Sequence, residues 1–398
     1  MPTGSETASP LVALLDHHLT AVKWRDYGYG LDPYCQGEPH HHPMAYGLYL
    51  RGLVNLHRAT GEPKYADAAR DVAQRLLEIA GDGTPVWGLP FSWRGQPAGS
   101  PYVVTTAICG HALLDWLSVE PDEEIRRTIV GAASWIARDV PWHEHGAGAG
   151  PVYAPGLPDL ATNVVSLAGG FLYRVSRIKR RARLRGRAVA ALRFTIDSQH
   201  ERGFWQFREP GVPGFSDSLS DATVDILHSS YVLDGLTLAL EAGAEREKDL
   251  FGLRSAIALG MRFCRSELFR PSGQALEKLV IARWDRRDER RIVRRRDRWH
   301  GYLGARTWLV PFETESRLWG YGAALAAAAR AEWTGVAPFA DAAAIARVVH
   351  RGFTSPTGRF AYRRADPRPF PRHEAHVFDG LASVLRLTNA SHRVFEAA

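Results

Sequence analysis

The feature that most constrains this chain is a pair of helices that recurs along it. In each copy, a helix rich in small and aromatic residues precedes a short turn and then a more charged amphipathic helix. Repeats of this kind bury their apolar sides only against neighbouring copies. The pattern predicts five such pairs: 42–60 with 64–80, 101–119 with 123–139, 160–178 with 183–198, 222–242 with 245–264, and 315–334 with 338–350.

Two further helices are predicted at the ends of the chain. The segment 9–24 has no predecessor and the segment 373–388 has no successor, so pairing the two closes a ring of six hairpins. The first helix of each pair suits a crowded inner layer, and the charged second helix suits a water-facing outer layer. The sequence therefore predicts an all-α fold, an (α/α)6 toroid, with 1–398 as a single domain.

The loops between pairs are long, whereas the turns within pairs are short. In an up-down ring, all the long loops fall at the end where the inner helices begin. Their content of Trp, Tyr, Gly and Pro argues against disorder, so we expect them to build a substrate cleft. The loop 265–314 is predicted to contain a β-hairpin, with arms at 276–285 and 287–297.

Composition excludes several classes of protein. No stretch approaches 18 apolar residues, which predicts no membrane span, and three cysteines form no disulfide framework. We therefore expect a cytoplasmic protein. The net charge of +7 is concentrated in 177–187 and 283–298, which are either solvated faces or contacts for an anionic substrate or a protein partner. No nucleic-acid-binding motif accompanies them, so no nucleic acid partner is expected.

The richest candidate site lies in the fourth loop and the helix after it. Asp225, His228 and Tyr231 follow one another at three-residue spacing and share a helical face, while Glu209 and Asp217 lie in the loop. A carboxylate, an imidazole and a phenol form a plausible acid/base group. The alternative interpretation is a buried polar network that braces the inner layer.

Residues of the other loops complete the predicted cleft. Tyr34 is a second phenol that could exchange a proton, and Arg317 or Arg94 could neutralise a substrate carboxylate. The residues assigned to substrate binding are Trp93, Arg94, Trp205, Glu313, Arg317, Trp319 and His376. The aromatic members suit stacking on sugar faces, although they suit plain packing equally well.

Three consecutive histidines, His40 to His42, stand close to Cys35 and Glu38. Such a cluster could hold a metal, but its spacing matches no standard zinc pattern. Capping and hydrogen bonding are the favoured roles, the question of a metal stays open, and no cofactor is expected.

Two segments resemble known protein families. The stretch 224–243 resembles the inner-helix signature of exopolysaccharide-biosynthesis toroids, in which an aspartate precedes a histidine; Asp225 and His228 are the matched positions. The run 46–77 resembles hairpins of carbohydrate-active (α/α)6 enzymes, including glucuronyl C5-epimerase-like proteins. The motifs of lanthionine cyclases and terpene cyclases do not occur.

Three hypotheses about function follow. The leading one is an epimerase or lyase that abstracts a proton next to the carboxylate of an acidic saccharide. Glu209 and Asp217 would suit a glycosidase variant, which is less favoured. The second hypothesis is a peptide-tailoring enzyme, a dehydratase or epimerase that acts on a natural-product precursor. The third is a non-catalytic partner subunit on the same ring.

Overall fold

The helices of the computed structural model follow the predicted hairpins around a closed ring. The structure describes residues 4–22, 27–81, 83–178, 181–215, 223–283, 301–304, 307–313, 315–336 and 342–396. The α-helices in these residues are α1 Gly4–Val22, α2 Pro43–Thr60, α3 Pro63–Glu78, α4 Val103–Leu117, α5 Glu123–Arg138, α6 Thr162–Ile178, α7 Ala182–Asp197, α8 Ile226–Glu241, α9 Leu253–Phe263, α10 Leu318–Trp333, α11 Ala342–Phe353 and α12 Pro371–Glu396.

The even-numbered helices α2 to α12 form the inner layer of the ring. Each packs against the two neighbouring inner helices, and α12 packs against α2, which closes the circle. The outer layer contains α3, α5, α7, α9 and α11, and α1 packs against α12 as the sixth outer helix. The predicted (α/α)6 toroid is confirmed, including the N-terminal helix that completes the last pair.

Small residues let the inner helices approach closely, as their composition predicted. A side chain at Gly235 of α8 would collide with the backbone of Ser166 in α6. A side chain at Gly322 of α10 would collide with the backbone of His376 in α12. No helix among the described residues has both the length and the apolar composition needed to cross a bilayer.

Some helix boundaries differ from the prediction. The fourth outer helix was expected over 245–264, but it begins at Leu253, after two short 3-10 turns. Gly243 adopts a left-handed conformation with φ of 88°, so the chain turns there and the next α-helix begins only at Leu253. The fourth inner helix was expected from residue 222, but it begins at Ile226 because the residues before it form a strand.

Short antiparallel strands occupy the long loops. In the described residues they are β1 Tyr29–Asp32, β2 Cys35–His41, β3 Trp142–His145, β4 Gly148–Pro151, β5 Thr223–Asp225, β6 Lys278–Arg283, β7 Gly301–Gly304 and β8 Thr307–Glu313. The last four form one sheet in the order β5-β6-β8-β7. Strand β6 lies in the first arm of the predicted hairpin and pairs with β8, and the predicted second arm, 287–297, lies outside the described residues.

Six charged side chains, one from each inner helix, alternate in sign around the axis of the ring. In order from α2 to α12 they are Arg51, Asp115, Arg174, Asp234, Arg330 and Asp379. Arg51 is 1% exposed and donates to both carboxylate oxygens of Asp234, at 2.9 and 3.1 Å. We call these six residues the axial charge ring.

The remaining contacts join the other members of the axial charge ring. Arg174 donates to Asp115 at 2.5 Å, and Arg330 donates to Asp234. The Nε atom of Arg51 lies 3.8 Å from Asp115 and 3.7 Å from Asp379. Burial alone would raise the pKa of Asp234, but Arg330 and Arg51 hold that pKa well below its usual value. The axis thus holds three arginines and three aspartates, and burial raises the pKa of Asp379 although Arg51 and Arg330 oppose that shift.

We predict that Arg51→Met lowers the free energy of unfolding by about 3–5 kcal/mol, because it leaves buried carboxylates without their cation. The control is Arg70→Met, which removes an exposed arginine paired with Asp67 and Glu120. The control substitution should lower the free energy of unfolding by less than about 1 kcal/mol. Urea denaturation of both variants provides the measurement, and an equal loss in the two would contradict the role of the axial charge ring.

Candidate functional site

A cleft with a volume of about 210 Å3 opens where the inner helices begin. One wall is aromatic: the Trp93 ring lies 5.9 Å from Tyr102 and 5.6 Å from Tyr153. On another side, the Tyr34 and Trp319 rings lie 6.0 Å apart. Flat apolar walls with a few polar groups between them are typical of a small-molecule site.

Asp225 and His228 form a hydrogen-bonded dyad in this cleft. Asp225 ends β5 and caps the N-terminus of α8, where its Oδ1 accepts from the backbone N–H of His228 at 2.8 Å. Its Oδ2 is bonded to Nδ1 of the same histidine. Because the carboxylate is 5% exposed and His228 is 34% exposed, the imidazole faces the cleft and the acid lies behind it.

The dyad fixes which nitrogen of His228 can act as a base. Burial raises the pKa of Asp225, but His228, through its charge and its two hydrogen bonds, holds that pKa below the usual value. In the neutral imidazole, Nδ1 donates its hydrogen to the ionised carboxylate, so Nε2 carries the free lone pair. No described residue bonds to Nε2, and the ring packs on Phe207 with centroids 4.7 Å apart. This arrangement is that of a general base oriented by a carboxylate.

Tyr231 lies one turn below His228 at the floor of the cleft. Its hydroxyl is 2.6 Å from Nε2 of His376, whose Nδ1 lies 2.5 Å from the carbonyl oxygen of Arg372. A carbonyl only accepts, so Nδ1 of His376 carries the hydrogen and Nε2 accepts from Tyr231. Burial lowers the pKa of His376 to about 4 and raises that of Tyr231, so both groups stay neutral. The proton of Tyr231 is therefore directed away from the cleft.

Two arginines of the cleft are braced by buried carboxylates. Arg317 donates to Glu277, with 2.7 Å between Nε and Oε1, and it donates from Nη1 to Tyr34 at 2.5 Å. Arg372 donates from Nε and Nη2 to Asp32, at 2.5 and 2.9 Å. Since these carboxylates are buried, both guanidinium groups are held at the cleft surface.

Lys278 is the third cation that lines the cleft. It begins β6, and its backbone pairs with Asp225 on one side and Glu313 on the other. The side chain is half-buried, and it forms no ion pair with any residue that the structure describes.

The cleft brings together seven of the predicted site residues. They are Tyr34, Trp93, Asp225, His228, Tyr231, Arg317 and Trp319. His376 lies behind Tyr231 rather than at the cleft surface. Asn163, at the start of the third inner helix, also lines the cleft.

Other predicted residues lie elsewhere. Arg94 is paired with Asp159 at 2.5 Å and does not line the cleft. Trp205 is buried against Gly260 of α9 and donates to the carbonyl of Thr195 at 2.8 Å, which is a packing role. Glu209 lies outside the cleft lining, and burial raises its pKa to about 7. Asp217 falls outside the described residues, and for Glu313 only the backbone is described.

Sequence reasoning missed several groups of the site. Lys278, Arg372 and their neighbours Asp32 and Glu277 were not assigned to it. Arg372 did have a signal, because it stands at the start of an inner helix, where the cleft was expected. Lys278 had none, because its place depends on which strand pairs with β5.

The histidine cluster at His40 to His42 forms hydrogen bonds. His41 bonds to the Tyr46 hydroxyl at 2.7 Å, and Nε2 of His42 bonds to the Gly30 carbonyl at 3.1 Å. No group of three or more His, Cys, Asp or Glu side chains among the described residues is placed to hold a metal ion. The favoured hydrogen-bonding role thus has specific partners for two of the three histidines.

Comparisons with known proteins give structural matches only. No protein-family model matches the chain, and no curated protein matches it. Among solved structures, the GH76A α-1,6-mannanase from Salegentibacter sp. HEL1_6 matches with a TM-score of 0.64 and 10% identity, over 95% of this chain and 99% of that chain. The cellobiose 2-epimerase from Bacillus thermoamylovorans B4167 matches with a TM-score of 0.61 and 13% identity, over 95% and 99%. A polysaccharide lyase matches with a TM-score of 0.59 and 10% identity, over 98% and 99%. At this identity the matches show the shared toroid fold.

His373 supports the cleft from beneath Trp319. The two rings are stacked with centroids 4.3 Å apart, and His373 is fully buried. Neither of its ring nitrogens has a hydrogen-bond partner among the described residues. Burial, together with the neighbouring Arg372, lowers the pKa of His373 well below its usual value, so the folded protein keeps this ring neutral.

We predict that His373→Phe stabilises the protein more at pH 5 than at pH 8. The unfolded histidine takes up a proton below about pH 6.5 and the folded one does not, so wild-type stability falls as the pH drops through that value. The increase in the free energy of unfolding caused by His373→Phe should be about 2 kcal/mol larger at pH 5 than at pH 8. Urea denaturation at both pH values measures it, and a pH-independent difference would contradict a neutral buried His373.

Proposed function

We propose that this protein is a carbohydrate-active enzyme that abstracts a proton next to the carboxylate of an acidic saccharide. The observation that carries the proposal is the Asp225–His228 dyad, whose Nε2 atom faces an aromatic and cationic cleft. A scaffold protein has no need of an oriented, accessible base. Asp225 and His228 both line this cleft, whereas Glu209 does not.

The proposed reaction begins with transfer of the C–H proton to Nε2 of His228. The electron pair left on carbon delocalises into the carboxyl group, where the cleft cations stabilise the extra charge. Return of a proton to the opposite face of the carbon completes an epimerisation. Departure of the β-oxygen substituent, which leaves with the electron pair and takes up a proton, completes an elimination. Both outcomes balance without a cofactor.

Tyr34 is the better-placed acid for the second step. Arg317 can only donate, so the Tyr34 oxygen accepts its hydrogen bond and the Tyr34 hydroxyl hydrogen remains free. The hydrogen of Tyr231 is instead bonded to His376. We therefore assign proton return to Tyr34, and we assign Tyr231 to accepting hydrogen bonds from substrate hydroxyls.

A two-carboxylate glycosidase mechanism has less support. Such enzymes need an acid and a second carboxylate on either side of the glycosidic bond. Asp225 is the single carboxyl among the described lining residues, and both its oxygens are occupied by His228. The fold is shared with a polysaccharide lyase and a cellobiose 2-epimerase as well as with a mannanase, so fold similarity is compatible with either class.

We predict that the wild-type protein, incubated in D2O with oligosaccharides of glucuronate, galacturonate or mannuronate, introduces deuterium or forms an unsaturated uronate. Mass spectrometry and absorbance detect the two outcomes. His228→Gln should reduce the rate by about 10²- to 10⁴-fold because the base is lost. Asp225→Asn should also slow the reaction, because an amide no longer fixes the Nδ1–H tautomer.

The matched control is His57→Gln, which makes the same change toward the opposite end of α2, where His57 bonds to the Glu62 carbonyl. Circular dichroism should show the same helical content in all variants. Absence of deuterium and of unsaturated product with every oligosaccharide would refute the proposal, and so would a fully active His228→Gln.

A further inference from the structure

The three cations of the cleft differ in what already binds them. The Arg317 guanidinium is bonded to Glu277 and to Tyr34. Two nitrogens of Arg372 are bonded to Asp32, while no described residue bonds to its Nη1. Lys278 alone has no carboxylate at ion-pair distance among the residues that the structure describes. A half-buried ammonium group loses hydration, and Lys278 gains no ion pair with a described residue in return, although its charge interacts with Asp225. An anionic ligand would therefore stabilise it.

Asp225, one of the two acidic residues that pair with Lys278 across the sheet, interacts with the lysine charge but forms no ion pair with it. Asp225 is its backbone partner on β5, but Oδ1 of Asp225 accepts from the His228 backbone and Oδ2 binds the imidazole. Directly opposed residues of an antiparallel pair project from the same face of the sheet. The register thus places Lys278 next to the residue that orients the base, and both Lys278 and His228 line one cleft.

The helix termini around the cleft add to its preference for an anion. The residues that cap α2, α4 and α10 are His42, Tyr102 and Arg317, and none of their side chains accepts a hydrogen bond from the helix N-terminus. The first N–H groups of α4 and α10 donate to the carbonyls of Tyr153 and Tyr362, and α2 begins with a proline. The positive contribution of these ends therefore comes from the helix dipoles. The helix ends and Lys278 thus both favour an anionic ligand in the cleft.

We propose that Lys278, assisted by the free Nη1 of Arg372, is an anion subsite that binds the substrate carboxylate and makes the cleft specific for acidic sugars. This inference rests on the proposed function and specifies its substrate-binding group. An anion held at Lys278 lies beside His228, so the carbon attached to it is presented to the base. Arg317 and Arg94, the neutralising groups expected from the sequence, are instead engaged by Glu277 and Asp159.

The test compares each of the three uronate oligosaccharides with the same oligosaccharide after reduction of its carboxyl groups. Calorimetry should show that the wild-type protein prefers at least one acidic form over its reduced form. Lys278→Met should weaken binding of that acidic form about 10- to 100-fold, the range of a charge-assisted hydrogen bond, and leave the reduced form unaffected. Lys278→Arg should retain most of the preference.

The matched control is Lys248→Met, which removes the same charge at an exposed position on the outer layer. It should keep the wild-type preference. A preference that survives in Lys278→Met overturns the inference, and so does a wild-type protein that binds acidic and reduced forms equally or binds neither.

The two proposals fail in different ways. If Lys278→Met abolishes the preference but the wild-type protein neither exchanges deuterium nor eliminates, the anion subsite stands and the proposed reaction is wrong. If the wild-type protein turns over a uronate while Lys278→Met leaves the preference and KM unchanged, the reaction stands and the subsite is wrong. In the supported case, Lys278→Met acts mainly on KM, whereas His228→Gln acts on kcat.

Discussion

The axial charge ring is the interaction on which the rest of this structure depends. Each inner helix contributes one charged residue, and the signs alternate from α2 to α12. A buried charge without a partner is far more costly than a pair, so the four buried members depend on their neighbours; they are Arg51, Asp234, Arg330 and Asp379. Arg51, for example, reaches carboxylates on three other helices at once. The ring therefore favours the closed arrangement of all six hairpins over any open or reordered array.

The cleft, like the axial charge ring, is held by buried charged groups that bind partners on other segments of the chain. Asp32, Glu277 and Asp225 are all buried, and each braces a nitrogen group at the cleft surface, respectively Arg372, Arg317 and His228. All three carboxylates lie at the ends of short strands or next to them. The strands therefore orient the site residues, because backbone pairing fixes residues that an unpaired loop would leave less constrained. The toroid below supplies a rigid base for them.

The sequence predicted the features that depend on local periodicity. Helix pairs, the inner and outer assignment and the working end follow from patterns within about 20 residues, so they could be read without a structure. The axial charge ring could not, because successive members are separated by 49 to 96 residues and come together only through closure of the ring. Lys278 was missed for a similar reason, since its place depends on pairing with β5 across more than 50 residues. Arg94 and Trp205 were assigned by residue type, which does not distinguish a cleft from the packing beside it.

Asp225 shows why residue spacing alone left two interpretations open. An aspartate just before a helix is a favoured N-cap, because its side chain accepts from a backbone N–H two or three residues on, and Asp225 does cap α8. The same spacing places the second carboxylate oxygen against the imidazole. One oxygen therefore serves the fold, and the other binds the imidazole that we propose as the base, so the two interpretations do not exclude each other. Because the cap fixes the carboxylate through the backbone of α8, the proposed base is oriented by the protein alone, as a preorganised site requires.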